Sequence, residues 1–259
     1  MNTTTRSFKQ RLTANELMVG SMIFEFFTPG IAQIVKAASA DFVFYDMEHS
    51  GADIETIKAQ CSFCRGLDIT PLVRVPVGEY HFIARALDAG AHGIMVPMVE
   101  SAEQASHVVR CTQYPPSGRR GSAFGVAHDD YLSGSPQDKI AAARAKTTVI
   151  ALIETPAGVA AADSIAALPG VDMLWVGHFD LTNFMGIPGQ FEHPEYLAAV
   201  DRVVAAARRH GKPAGFMAMD DDWARQYYAK GFRVFAYGLD MQVFQKALGN
   251  GFTALRSLR

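Results

Sequence analysis

A (β/α)8 barrel, an α/β fold in a single domain over residues 1–259, is what this sequence predicts, on three observations. Eight short β-rich runs recur along the chain, and nearly every one is followed by a polar or Gly/Pro break and a longer segment of helical spacing. That alternation favours a parallel sheet. The length of 259 residues matches the roughly 250 that such a barrel fills as one domain. Two smaller domains would have the same length, but no linker, low-complexity tract or charge run marks a boundary.

In order, the predicted strands are Met18 to Phe26, Phe42 to Glu48, Pro71 to Val75, Gly93 to Met98, Thr148 to Glu154, Met173 to Asp180, Ala214 to Ala218 and Arg233 to Gly238. Between them, helical spacing covers Asp53 to Arg65, Glu79 to Ala89, Ser101 to Gln113, Pro156 to Ala167, Pro194 to His210 and Asp220 to Lys230. Gly66, Gly90, Gly211 and Gly231 stand just past helix ends, where a residue without Cβ can reverse the chain. Two connections are unusually long, Tyr114 to about Ser135 and Thr182 to His193; on a barrel such loops either cover the active site or are exposed insertions.

The charge balance, 24 basic against 26 acidic residues, leaves no positive excess for a phosphate backbone, so nucleic acid is excluded as a partner. Three cysteines, an odd number, are not a disulfide framework and point to a reducing compartment. No apolar run is long enough to span a bilayer, and the polar start lacks a signal core; a cytoplasmic enzyme without a membrane partner is expected.

Barrel chemistry gathers where strands end. Glu154 and Asp180 close the fifth and sixth strands, which are neighbours in a barrel, so their carboxylates can converge on a hard divalent cation; alternatively each caps the helix that follows. Arg74 closes the third strand beside Asp46 and Glu48, either as a clamp for a substrate oxyanion or as a structural ion pair with Asp46. His49 leaves the second strand into a loop, where it is a hydrogen-bonding loop residue or, beside a metal, a base near neutral pH. His178 lies two residues before Asp180, which on a strand puts both side chains on one face; a buried histidine filling the barrel is the alternative. With Arg74, the residues Leu152, His178, Phe179 and Met217 are the candidate substrate contacts. Cys61 and Cys64 share a helical face with Ile54 and Ile57 and read as core, and Gly118-Arg119-Arg120-Gly121 as a solvated arginine loop or an anion site. No lysine falls at a strand end, so a carbon–carbon lyase on this scaffold depends on metal rather than a Schiff base.

Six ordered motifs are similar to those of the HpcH/HpaI family of class II pyruvate aldolases: Asp46-Met47-Glu48-His49, Leu72-Val73-Arg74-Val75-Pro76, Leu87-Asp88-Ala89-Gly90-Ala91 with Val96-Pro97-Met98-Val99, Tyr114-Pro115-Pro116-Ser117-Gly118-Arg119-Arg120-Gly121, Ile153-Glu154-Thr155 and Gly177-His178-Phe179-Asp180-Leu181. The resemblance runs from about Asn15 to about Leu248. It implies a barrel that binds Mg2+, Mn2+ or Co2+ and cleaves 4-hydroxy-2-oxo acids to pyruvate and an aldehyde. It further implies Glu154 and Asp180 as metal ligands, Arg74 as the enolate-stabilising arginine, His49 as the catalytic histidine and Asp88 as its associated aspartate. A homo-oligomer, a hexamer in the family, is expected. Asp88 ends a helix on the barrel face opposite the strand ends, so it is expected to serve a neighbouring subunit's His49, unless it bonds locally or to Arg85.

The chain also departs from the family pattern. Leu152 replaces a common glutamine, Met47 a glycine, and His178-Phe179 the usual Pro-Ala. These changes border the site and bear on substrate more than on metal chemistry. Related readings are an oxaloacetate decarboxylase or acyl-CoA ester lyase, or a non-catalytic 2-oxo-acid-binding barrel. For the aldehyde half, Arg119 and Arg120 would receive a distal carboxylate, whereas Phe124, Phe179 and Phe184 would line an apolar pocket.

Overall fold

Each apolar run forms a strand, and consecutive strands pair in parallel until β8 returns to β1 and closes the barrel. The computed structural model describes residues 6–258. The strands are β1 (Met18–Ile23), β2 (Phe42–Asp46), β3 (Thr70–Arg74), β4 (Gly93–Val96), β5 (Thr148–Ile153), β6 (Met173–Val176), β7 (Ala214–Ala218) and β8 (Val234–Leu239). The helices described are α1 (Phe8–Thr13), α2 (Ile31–Ala37), α3 (Ile54–Phe63), α4 (Tyr80–Asp88), α5 (Ala102–Thr112), α6 (Pro136–Lys146), α7 (Pro156–Ala167), α8 (His178–Phe184), α9 (Pro194–Arg209), α10 (Asp221–Lys230) and α11 (Asp240–Arg256).

Strands β2 to β7 are buried on both faces, Thr70 alone being half-buried, which is why they read as continuous apolar runs rather than alternating ones. One core lies between strands and helices. A second fills the barrel, with Phe44, Leu72, Leu152, Trp175 and Met217 in its stack and Phe8 and Leu12 of α1 among its members. Gly215 makes room for that stack: a Cβ there would collide with the Trp175 ring. Cys61, Cys64 and Cys111 are free and buried, as the core reading expects.

Two predicted strand ends and the placement of one connection are corrected. β6 stops at Val176, not Asp180, because Leu181 donates its amide to the Gly177 carbonyl and the backbone coils into α8. β1 stops at Ile23, not Phe26, because the Asp240 carboxylate takes the amides of Phe24 (3.1 Å), Glu25 (3.0 Å) and Phe26 (2.7 Å) away from the sheet. The connection after Tyr114 lies on the face opposite the strand ends, since it leaves the end of a helix. There Arg65 donates to Asp130 and to the Ala127 carbonyl, and Lys146 to the His128 carbonyl.

The last helix is unlike the others. Asp240 is its only buried residue, and Phe244, Leu248, Phe252 and Leu255 are exposed along one side of it. Correspondingly, the outer faces of β1 and β8 leave Val19 and Tyr237 open. Among the described residues no helix is long and apolar enough to cross a membrane.

Candidate active site

The ends of the strands open onto a cavity of about 320 Å3, lined by His49, Arg74, Leu152, Glu154, His178, Phe179, Asp180 and Met217 among others. Parallel register sets Asp46 beside Arg74. The Arg74 Nε donates to Asp46 Oδ1 at 2.5 Å, and Nη1 lies 2.9 Å from Glu48 Oε2. The structural ion pair with Asp46 is therefore present, and Nη2 is buried with no hydrogen-bond partner. Phe24 covers the guanidinium at 5.1 Å. His49 follows on the same loop, its amide donating to Asp46 Oδ2 at 2.7 Å, its ring more than half exposed and 3.8 Å from Glu48.

Glu154 stands just past β5, buried to 3% exposure, and accepts the Met98 amide at 2.7 Å. A Cβ at Gly177 would sit 2.5 Å from its other oxygen, so glycine there leaves the space that carboxylate occupies. Burial foremost, with the nearby charges of Glu48 and Asp180, pushes the Glu154 carboxyl up to about 8 against the pull of the Met98 amide and Arg74. Asp180 lies in the first turn of α8, on the same cavity. No group of three or more His, Cys, Asp or Glu poised for an ion occurs among the described residues. Two carboxylates nevertheless suit a hard cation that keeps open positions for water and substrate oxygens, and positive charge there would relieve the cost of ionising Glu154. The donor set fits.

His178 and Asp180 do not share a face, since on a helix residues two apart diverge. The His178 ring packs instead against Phe179, Phe216, Trp223 and Phe191 at 4.6–5.5 Å. Burial alone lowers its pKa to about 3, and Nε2 has no partner. Asp88 does not line the cavity. It pairs with Arg120 at 2.6 Å rather than with Arg85. Arg120 is in turn buried, its guanidinium 4.8 Å over Tyr114, so the solvated-loop reading fails for Arg120, while Arg119 is exposed. Sequence reasoning missed Phe24, Trp175 and Leu239 on the cavity wall. It also missed Asp240, although an acid directly after the eighth strand obeys the same strand-end rule that singled out Glu154.

Residues 21–247 match the family model of HpcH/HpaI aldolase/citrate lyase. The hydroxypyruvate/pyruvate aldolase of Roseovarius nubinhibens is 36% identical over 237 residues, 92% of this chain and 91% of that protein. The 5-keto-4-deoxy-D-glucarate aldolase of Klebsiella pneumoniae is 35% identical over 240 residues, 93% of each. In structure, an HpcH/HpaI aldolase from Desulfitobacterium hafniense superposes with a TM-score of 0.92 at 30% identity, covering 98% of both chains. With the barrel closed, two acids and an arginine meeting at its strand ends, and matches over nearly its full length, this chain belongs to the HpcH/HpaI aldolase/citrate lyase family.

Proposed function

We propose that the protein is a metal-dependent carbon–carbon lyase that cleaves 4-hydroxy-2-oxo acids to pyruvate and an aldehyde. The observation that carries this reading is the unpartnered, buried Arg74 Nη2 in the same cavity as Glu154 and Asp180. Those two carboxylates would hold a divalent cation, Mg2+ or Mn2+ or Co2+, which supplies positive charge to polarise the 2-oxo group. Arg74, fixed by Asp46 and Glu48, offers its free N–H to the oxygen on which charge develops as the bond breaks. His49 accepts the 4-hydroxyl proton, the C3–C4 electron pair passes to the pyruvyl fragment, and protonation at C3 completes pyruvate. Leu152 and Met217 close the floor of the cavity and keep bulk water from the reacting carbons. Among the described residues no lysine lines the cavity, so no Schiff base is invoked.

In this reading the active protein is a homo-oligomer. Asp88, held by Arg120 yet one-third exposed, serves the His49 of a neighbouring copy, and the bare side of α11 covers the open β1/β8 face of another. The test is release of pyruvate, read by coupled lactate dehydrogenase, from 4-hydroxy-2-oxo acids with and without divalent cation. Full activity in excess EDTA, with an adduct trapped by borohydride, would overturn it.

A further inference from the structure

The imidazole of His178 carries a buried nitrogen that the protein does not satisfy. It lines the cavity of Arg74, Glu154 and Asp180, yet only 3% of the residue is exposed and Nε2 has no hydrogen-bond partner. Packing alone asks only for a ring: Phe179, Phe191, Phe216 and Trp223 surround it at 4.6–5.5 Å, and a phenylalanine would fill that cluster without an unpaired nitrogen. Resting on the aldolase reading, we infer that His178 binds the carboxylate of the 2-oxo acid, donating a hydrogen bond from Nε2.

The position of His178 selects that end of the substrate. Phe191 and Trp223 also wall an outer cleft along residues 189–193, which His178 does not line, so these rings stand on its outer side and the cavity is the space it borders. His178 opens α8 directly after β6, whereas Arg74 closes β3 and His49 follows β2. In the closed strand order β6 is three strands from β3 and four from β2, so His178 stands across the barrel mouth from both.

A 2-oxo acid whose 4-hydroxyl meets His49 and whose 2-oxo oxygen meets Arg74 has its carboxylate at the other end, on the α8 side. A neighbouring copy's Asp88, with its paired Arg120, would arrive at the His49 end, which leaves the carboxylate end to this chain's own residues. A carboxylate oxygen brought there gives up water and needs a donor in exchange. Leu152 and Met217 on the floor have none to offer, and an imidazole N–H does. Because the acceptor is charged, that hydrogen bond is among the stronger kind, and it forms only when the ligand is present.

The experiment titrates Mn2+ and then pyruvate into wild type, His178→Phe and His178→Gln by calorimetry. His178→Phe keeps a ring in the aromatic cluster and should bind pyruvate about tenfold more weakly or worse. An unchanged pyruvate affinity overturns the inference, and so does an equal loss of Mn2+ affinity, which would mean that His178 only packs the site. His178→Gln retains an N–H donor and should bind pyruvate more tightly than His178→Phe; equal affinities would remove the hydrogen bond. If neither variant folds, a crystal structure of the wild type with Mn2+ and pyruvate decides, with a carboxylate oxygen expected within about 3.2 Å of Nε2 and a longer separation overturning the assignment. Pyruvate that fails to bind the Mn2+-loaded wild type sinks the aldolase reading itself, a separate result.

Discussion

At the scale of single residues, Arg74 is defined by what it leaves unbonded. Lysine cannot satisfy Asp46, Glu48 and a ligand in one plane, so Arg74→Lys should lower kcat by roughly 10² while the melting temperature moves little. Steady-state kinetics on the cation-loaded protein would check this, and an unchanged kcat would remove Arg74 from the chemistry. A second prediction concerns pH. Burial, aided by Lys146, lowers the His92 pKa to about 4, against about 6.5 for the unfolded chain. The unfolded state therefore binds more protons between those values, and the stability His92 contributes is complete above pH 6.5 and lost as pH falls toward 4. The loss amounts to at most about 3 kcal/mol. Denaturant titrations across that window should show the decline, and His92→Gln should flatten it. The site acids and Arg74 were legible because each is a charge interrupting an apolar run. Asp88's partner was not, since Arg120 lies 32 residues away and only tertiary folding brings the two together.

At the scale of elements, legibility follows the physics of each segment. Strands β2 to β7 announced themselves because both faces are buried. The end of β6 did not: His178-Phe179-Asp180-Leu181 is too short for a period of two to be told from one of 3.6, and the decisive contact, Leu181 to Gly177, is local backbone. The end of β1 was hidden for another reason, because the group that ends it, Asp240, arrives from the far end of the chain. Asp240→Ala leaves three amides without an acceptor and loosens the loop carrying Phe24 over Arg74. A stability loss of about 2 kcal/mol or more is expected, with a fall in kcat/KM that Asp240→Asn partly restores by keeping one acceptor oxygen. Equilibrium unfolding and kinetics on both variants would decide; wild-type kinetics in Asp240→Ala would detach the loop from the site.

At the scale of the whole molecule, an exposed apolar side on a helix of 17 residues asks for a partner. Phe252→Glu should shift the protein toward smaller species in size-exclusion chromatography with light scattering, and an unchanged mass would remove α11 from assembly. Mixing inactive Asp88→Ala with inactive His49→Ala subunits should regain part of the activity, and failure after verified subunit exchange would count against a shared site. The position of Asp240 adds a thermodynamic consequence. The residue that opens α11 also grips the loop above Arg74, so whatever fixes that helix also orders the site. Linkage is reciprocal: a 2-oxo acid that binds the assembled protein more tightly must strengthen the assembly by the same factor. In the oligomer proposed here, specific activity should therefore fall on dilution and recover with substrate, so that subunit concentration becomes a variable in the rates it shows.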